Sequence, residues 1–276
     1  MSTYMKINVS KPQGISPGAA APKDPNVTVV DVEDIQFFPA RDGKGVKYTG
    51  NFVMKPGAKM IQFYSTASKV SAPYESDGEE DAVAIAQSFE AQHPGNSLEI
   101  KEFIQNWLGK NVIIFHGSCV DNFREVLGTK CAPLQLKPAK QDNNEGRFHT
   151  LVFEQFNPSA MVPGHYEGAL SFEEPHEVSS VADVDVTEAN GHQYQLPPLA
   201  ETDTIEFGDL TVPDESIITL IGGGGAAPAT LASAASGSAT VILKNGTTWV
   251  ALQGAVIHLK YFNAGATKYL IELSRG

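Results

Sequence analysis

The stretch Asn96-Ser97-Leu98-Glu99-Ile100-Lys101-Glu102-Phe103-Ile104-Gln105-Asn106-Trp107-Leu108-Gly109, which runs on into Asn111-Val112-Ile113-Ile114-Phe115, decides the fold class. Its first part has a helical period. Ile100, Phe103, Ile104, Trp107 and Leu108 recur at i, i+3, i+4, i+7 and i+8, so they share one apolar face predicted to lie on the core. Asn96 is placed to cap that helix, Glu99 completes a capping box, and Gly109 stops it. The second part is a short continuous apolar run, the pattern of a buried strand.

Working outward, Asp81–His93 reads as a further helix closed by Pro94-Gly95, giving a helical insertion over 81–109. Upstream, Val27–Val30, Ile35–Phe38, Tyr48–Met54 and Lys59–Tyr64 read as strands of an antiparallel meander, with Pro56-Gly57 as a tight turn. Downstream, Phe148–Phe153 and Tyr166–Phe172 read the same way. Residues 27–180 are therefore expected to be α+β and mostly antiparallel. Residues 1–26, with Pro12, Pro17, Pro22 and Pro25, read as an extended arm, and Met1–Pro22 lacks the pattern of a secretory signal. Residues 181–204, with Pro197-Pro198, read as a linker or connecting strand. Residues 205–276 turn to Gly, Ala, Ser and Thr and read as a small all-β module that is separable from the rest. Its strands are Ile217–Ile221, Thr240–Leu243, Thr248–Leu252, Ala255–Phe262 and Tyr269–Leu273, with Asn245-Gly246 as a hairpin turn.

The charge excludes some functions. With 32 acidic and 20 basic residues in 276, the net charge is −12, which disfavours a grip on nucleic acid. Both the first 180 residues and the remainder carry −6, so the acidity is not a tail. No apolar window is long enough for a membrane helix. Cys119 and Cys131 read as reduced thiols, and no zinc spacing occurs. Ser65–Glu80 reads as a long polar loop. Asp77, Glu79 and Asp81 hold alternate positions as in a calcium loop, but the distal Glu of that pattern is missing, so a solvated loop is expected.

Catalytic signatures are sparse. Gly222-Gly223-Gly224-Gly225 has no Lys-Ser/Thr after it, so it reads as a flexible turn rather than a phosphate loop. No Gly-x-Ser-x-Gly elbow occurs. His116 and Cys119 could in principle form a nucleophilic pair, though a buried structural Cys is the commoner case. No enzyme activity, metal or cofactor is expected. Trp249, Tyr261, Phe262 and Tyr269 leave open an exposed aromatic platform for glycans or single strands.

Two stretches resemble known proteins. The first comprises Asp77-Gly78-Glu79-Glu80-Asp81, the helical region through Trp107, Val112–Phe115, Leu127-Gly128-Thr129-Lys130-Cys131-Ala132-Pro133-Leu134, Gln141–Gly146, Phe148–Phe153 and Tyr166-Glu167-Gly168. It resembles virion structural proteins of tailed bacteriophages, in particular the tail tube group. The second, Val241–Leu243, Asn245-Gly246, His258–Tyr261 and Tyr269–Arg275, is similar to small β modules that end phage fibre and decoration proteins. The resemblance implies a tail-tube-like β-sandwich or barrel with a flanking helix region and a long loop. It also implies self-assembly into stacked, usually hexameric rings that form a DNA conduit, contacts with other virion proteins, a place in the virion tail, and an outer β module. The long loop, with Ser71, Glu75, Asp77, Glu79 and Glu80, is the expected contact between rings. A capsid decoration, head-fibre or receptor- and glycan-binding virion protein is the alternative.

Overall fold

The computed structural model describes residues 8–276, apart from the side chain of Asp77. Residues 1–7 of the expected arm lie outside the described residues. The chain forms two compact units, and the fold is α+β with mostly antiparallel sheets. The first unit takes residues up to Ile35, Arg41–Tyr48 and Met60–Glu167; the second takes Gln36–Ala40, Thr49–Lys59 and Gly168–Gly276.

β1 (Asn26–Asp31) belongs to the first unit; the short strands β2 (Ile35–Phe37) and β3 (Val53–Met54), which pair with each other, belong to the second apart from Ile35, and the first unit resumes at Met60. Then come β4 (Ile61–Tyr64), β5 (Tyr74–Asp77), β6 (Ala84–Pro94), helix α1 (Leu98–Trp107), β7 (Val112–Gly117), β8 (Arg124–Leu127), β9 (Leu134–Asn143), β10 (Gly146–Gln155) and β11 (Gly164–Tyr166). These nine strands form one sheet with two arms, β4-β1-β7-β8-β11 and β9-β10-β6-β5, joined through the pair Val112–Leu134. Every one of these pairings is antiparallel. Period-two alternation sends Val27, Val29, Val112 and Ile114 of one arm, and Phe89, Ala91, Leu151 and Phe153 of the other, into one core. Phe153 stacks on Phe63 at 6.1 Å across that core.

Several expectations change here. Asp81–His93 is not a helix; its core is strand β6. Gln87, Phe89 and Ala91 are buried in strict alternation, and β6 pairs with β5 and β10, so partner strands decide its conformation. The helical insertion therefore shrinks to α1. Its N-cap is Ser97 rather than Asn96, and Asn96 Oδ1 instead lies 3.3 Å from His149 Nε2. Ile100 is buried, and Phe103, Ile104 and Trp107 pack against the core. Leu108 does not join them. It is the C-cap, its N–H donating to Ile104 C=O, and with the helix ended its side chain is exposed. The meander is also absent: β1 lies between β4 and β7, and Tyr48–Met54 divides between the two units. Tyr166–Phe172 divides likewise, since β11 ends at Tyr166.

The second unit contains β12 (His176–Glu177), β13 (Val184–Thr187), β14 (Gln193–Gln195), β15 (Phe207–Thr211), β16 (Ile217–Ile221), β17 (Thr230–Leu231), β18 (Ala235–Ser236), β19 (Ala239–Ile242), β20 (Trp249–Val250), β21 (Val256–Asn263) and β22 (Lys268–Arg275). Its main sheet has the order β12-β14-β16-β21-β22-β19-β18; β13-β15 and β17-β20 are separate pairs. Four of these pairings are parallel: β12 with β14, β14 with β16, β13 with β15 and β19 with β22. Residues 181–204 are not a linker. Val181, Val184, Val186, Tyr194 and Leu196 lie in the same core as Leu220, Trp249, Leu259 and Tyr261. The module therefore begins near Gly168, well before residue 205, and truncation after Thr204 would divide a hydrophobic core.

Two glycine signals also change meaning. Gly222–Gly225 is not a loose turn. Gly222–Gly224 are buried, and their backbone extends β16 between two other segments. Gly224 N–H donates to Ala251 C=O, and Gly224 C=O accepts from Leu199 N–H. A Cβ on Gly222 would lie 2.1 Å from Leu252 O, and one on Gly223 2.1 Å from Leu196 O. Glycine is required there by space. Asn245-Gly246 has positive φ at both residues, as a tight turn requires, but joins no hairpin: β19 pairs with β18 and β22, whereas β20 pairs with β17.

Candidate assembly edge

Of the predicted contact residues, Ser71, Glu75 and Asp77 lie along a strand edge, and Glu79 and Glu80 lie in the turn that follows it. Ser71 N–H and C=O bond reciprocally to Glu90, and Pro73 C=O accepts from Ser88 N–H. The same register continues through Glu75–Ala86 to Asp77–Ala84. Antiparallel ladders alternate, so Ser71, Pro73, Glu75 and Asp77 turn their backbone groups toward β6. Ala72, Tyr74 and Ser76 turn theirs away, toward the open side, because β5 ends its sheet. Polar composition hid this strand from the sequence; its pairing with β6 is what makes it one.

The structure brings Ser71 and Glu75 onto one edge and sets Glu79 and Glu80 at the tip of the β5–β6 connection, all exposed. Gly78 at φ 108° and Asp81 at φ 69° make that reversal, and Ala82 N–H donates to Glu79 C=O. Beside the edge is a shallow groove of about 300 Å³ lined by Pro73, Tyr74, Glu75, Gln87 and Glu154. Its floor is rigid because Gln87 is fully engaged. Its N–H donates to Gln155 Oε1 at 3.0 Å, its Nε2 to Met161 C=O at 2.7 Å, and its Oε1 accepts from Gly128 N–H at 2.9 Å.

Other candidates resolve differently. His116 is buried, its Nε2 3.2 Å from Glu125 Oε2, and contact with His116 holds the Glu125 carboxyl below the usual range. Cys119 and Cys131 are free and exposed, so neither is a buried structural Cys. Trp249 and Tyr261 are core residues and form no outer platform; Phe262 and Tyr269 are half-buried and pair across β21 and β22. Among the described residues, no three His, Cys, Asp or Glu side chains converge as metal ligands, and no helix is long and apolar enough to cross a membrane.

The second unit holds a buried polar cluster that sequence reasoning missed. Asn51 Nδ2 donates to Ile217 C=O at 3.0 Å and to Thr219 Oγ1 at 3.1 Å. Asn51 N–H and Thr219 Oγ1 lie 3.3 and 3.0 Å from His258 Nδ1. A backbone N–H can only donate, so Nδ1 accepts and the neutral ring carries its proton on Nε2. Burial pushes the His258 pKa down to about 3. Gln193 Nε2 donates to Ser171 Oγ and Phe52 C=O. The cluster pins Thr49–Lys59 into its unit. Its members are far apart in sequence, so no local motif announces it.

Comparison with protein-family models, with curated proteins and with solved structures finds no match to this chain.

Proposed function

We propose that the chain is a structural subunit of a bacteriophage virion, the tail tube protein, which self-assembles into stacked rings around a DNA conduit. The ring number implied by the resemblance is six. One observation carries the reading: the nine-stranded antiparallel sheet of the first unit packs its two arms around a shared core, with helix α1 on its flank and β5 at an open edge. An open edge favours association with another chain. The charge of −12 supports the reading, since an acidic wall would repel passing DNA rather than bind it. The reading assigns no catalytic role and no cofactor. Its partners are further copies of the chain and other virion proteins.

Negative-stain microscopy of the full chain tests this. Rings or tubes of uniform bore are the expected result, and persistent monomers at high concentration would refute it. A capsid decoration or head-fibre protein is the second reading, favoured by the separate core of the second unit. It predicts monomers or trimers that bind a capsid shell and no tube made from the chain alone.

A further inference from the structure

Two edges of the first unit are treated differently. Gly95 N–H donates to Arg147 C=O, so Arg147 and alternate residues of β10 bond toward β6, and the intervening ones toward β9. Pro138, opposite Leu151, thereby turns its nitrogen to the outer side of β9, where a missing N–H blunts the edge. On β5 the proline has the opposite phase. Pro73 faces β6, and the outward positions Ala72, Tyr74 and Ser76 all keep their N–H groups. This edge is unprotected and can accept another strand.

The chain also carries a segment with strand patterning, of which the described part, Asn8–Lys11, is exposed. Lys6-Ile7-Asn8-Val9-Ser10-Lys11 alternates polar and apolar residues and contains no proline. Val9 is 94% exposed, as is the more distant Ile15 at 101%. The arm is anchored at its end: Cys119 N–H donates to Pro22 C=O, Asp24 N–H donates to Gly117 C=O, and Lys23 bridges Ser118. From Pro22 back to Lys11 the extended chain spans up to about 36 Å, enough to reach a neighbouring molecule.

We propose that Lys6–Lys11 of one copy adds as a strand to the open β5 edge of a second copy. Main-chain bonds to Ala72, Tyr74 and Ser76 supply the pairing. Lys6 and Lys11 would meet an edge and turn whose charged residues include Glu75, Asp77, Glu79 and Glu80, so the pairing is complementary and weakens with salt. The contact is head-to-tail, arm to edge, and such contacts close into a ring when the rotation permits. The proposal rests on the self-assembly reading and names the partner of its edge.

The test uses full-length chains with Cys119→Ser and Cys131→Ser, one tagged and carrying Val9→Cys, the other untagged and carrying Ser76→Cys. Mild oxidation of the mixture should give a covalent pair containing one of each chain. A second chain lacking residues 2–11 should need a concentration higher by roughly tenfold or more to assemble, because a strand's worth of main-chain pairing is gone. No mixed pair, together with an unchanged assembly threshold for the shortened chain, overturns the arm–edge contact and leaves the tube reading standing. A Val9→Cys, Ser76→Cys double variant that cross-links only within monomers also overturns it. Full-length chain that stays monomeric at all concentrations overturns both.

Discussion

The two units reach stability by different means. The first interlocks side chains: Phe63, Phe89 and Phe153 meet between the two arms of a sheet whose strands pair antiparallel. The second brings backbones together: Gly222–Gly225 runs between Leu196–Leu199 and Ala251–Leu252, and parallel pairs join residues distant in sequence. A side-chain core loses energy in proportion to what is removed. A backbone contact tolerates no addition at all. Each unit has its own reporter, since the chain's two tryptophans are Trp107 in the first and Trp249 in the second. Fluorescence of Trp107→Phe follows the second unit, and that of Trp249→Phe follows the first.

The largest expected effect is Gly223→Ala. The new methyl would sit 2.1 Å from Leu196 O and 2.5 Å from Pro197 C, both backbone atoms. We expect a loss of about 4 kcal/mol or more, read from Trp249 in denaturant unfolding. Phe153→Ala is the counterpart in the first unit. Phe153 is fully buried, so the cavity should cost about 3–5 kcal/mol, read from Trp107. A tolerated Gly223→Ala would break the contrast between the units.

Acid separates the units further. Burial lowers His258 from 6.5 to about 3 and His192 from 6.5 to about 4. Below pH 6.5 the unfolded chain takes up protons that the folded second unit refuses. Stability present above that pH is therefore lost as pH falls toward 4, by about 1.4 kcal/mol per pH unit for each histidine. In the first unit burial lowers His149 in the same direction, while Glu125, also lowered, loses its contribution only as pH falls below 4.5. The Trp249 signal should therefore lose stability more steeply than the Trp107 signal between pH 6.5 and 4.5. His258→Gln should remove about half of that slope. Equal slopes for the two signals would erase the electrostatic difference between the units.

What the sequence disclosed follows the same division. Local patterns were readable: α1 from its apolar period, β7 from Val112–Phe115, and β16, β21 and β22 from short apolar runs. The misreadings came where distant pairing decides. Alanine-rich β6 is a strand because β5 and β10 flank it, and 181–204 is core because β14 joins β16 in parallel. The candidate edge was half legible. Its acidic residues were visible, but its strand character depends on a register to Glu90 that no local composition encodes.

The smallest expected effect uses the same residue type as the largest. Gly246 has φ 65°, and a Cβ there meets nothing within 4 Å. Gly223 needs glycine for space; Gly246 needs it only for backbone conformation. Asn245 beside it already holds φ 57° with a side chain, so the left-handed region is bearable at this turn. Gly246→Ala should therefore cost only about 1 kcal/mol, again read from Trp249. If Gly246→Ala and Gly223→Ala cost the same, glycine in the second unit serves conformation rather than close approach, and the backbone-packed account of that unit fails.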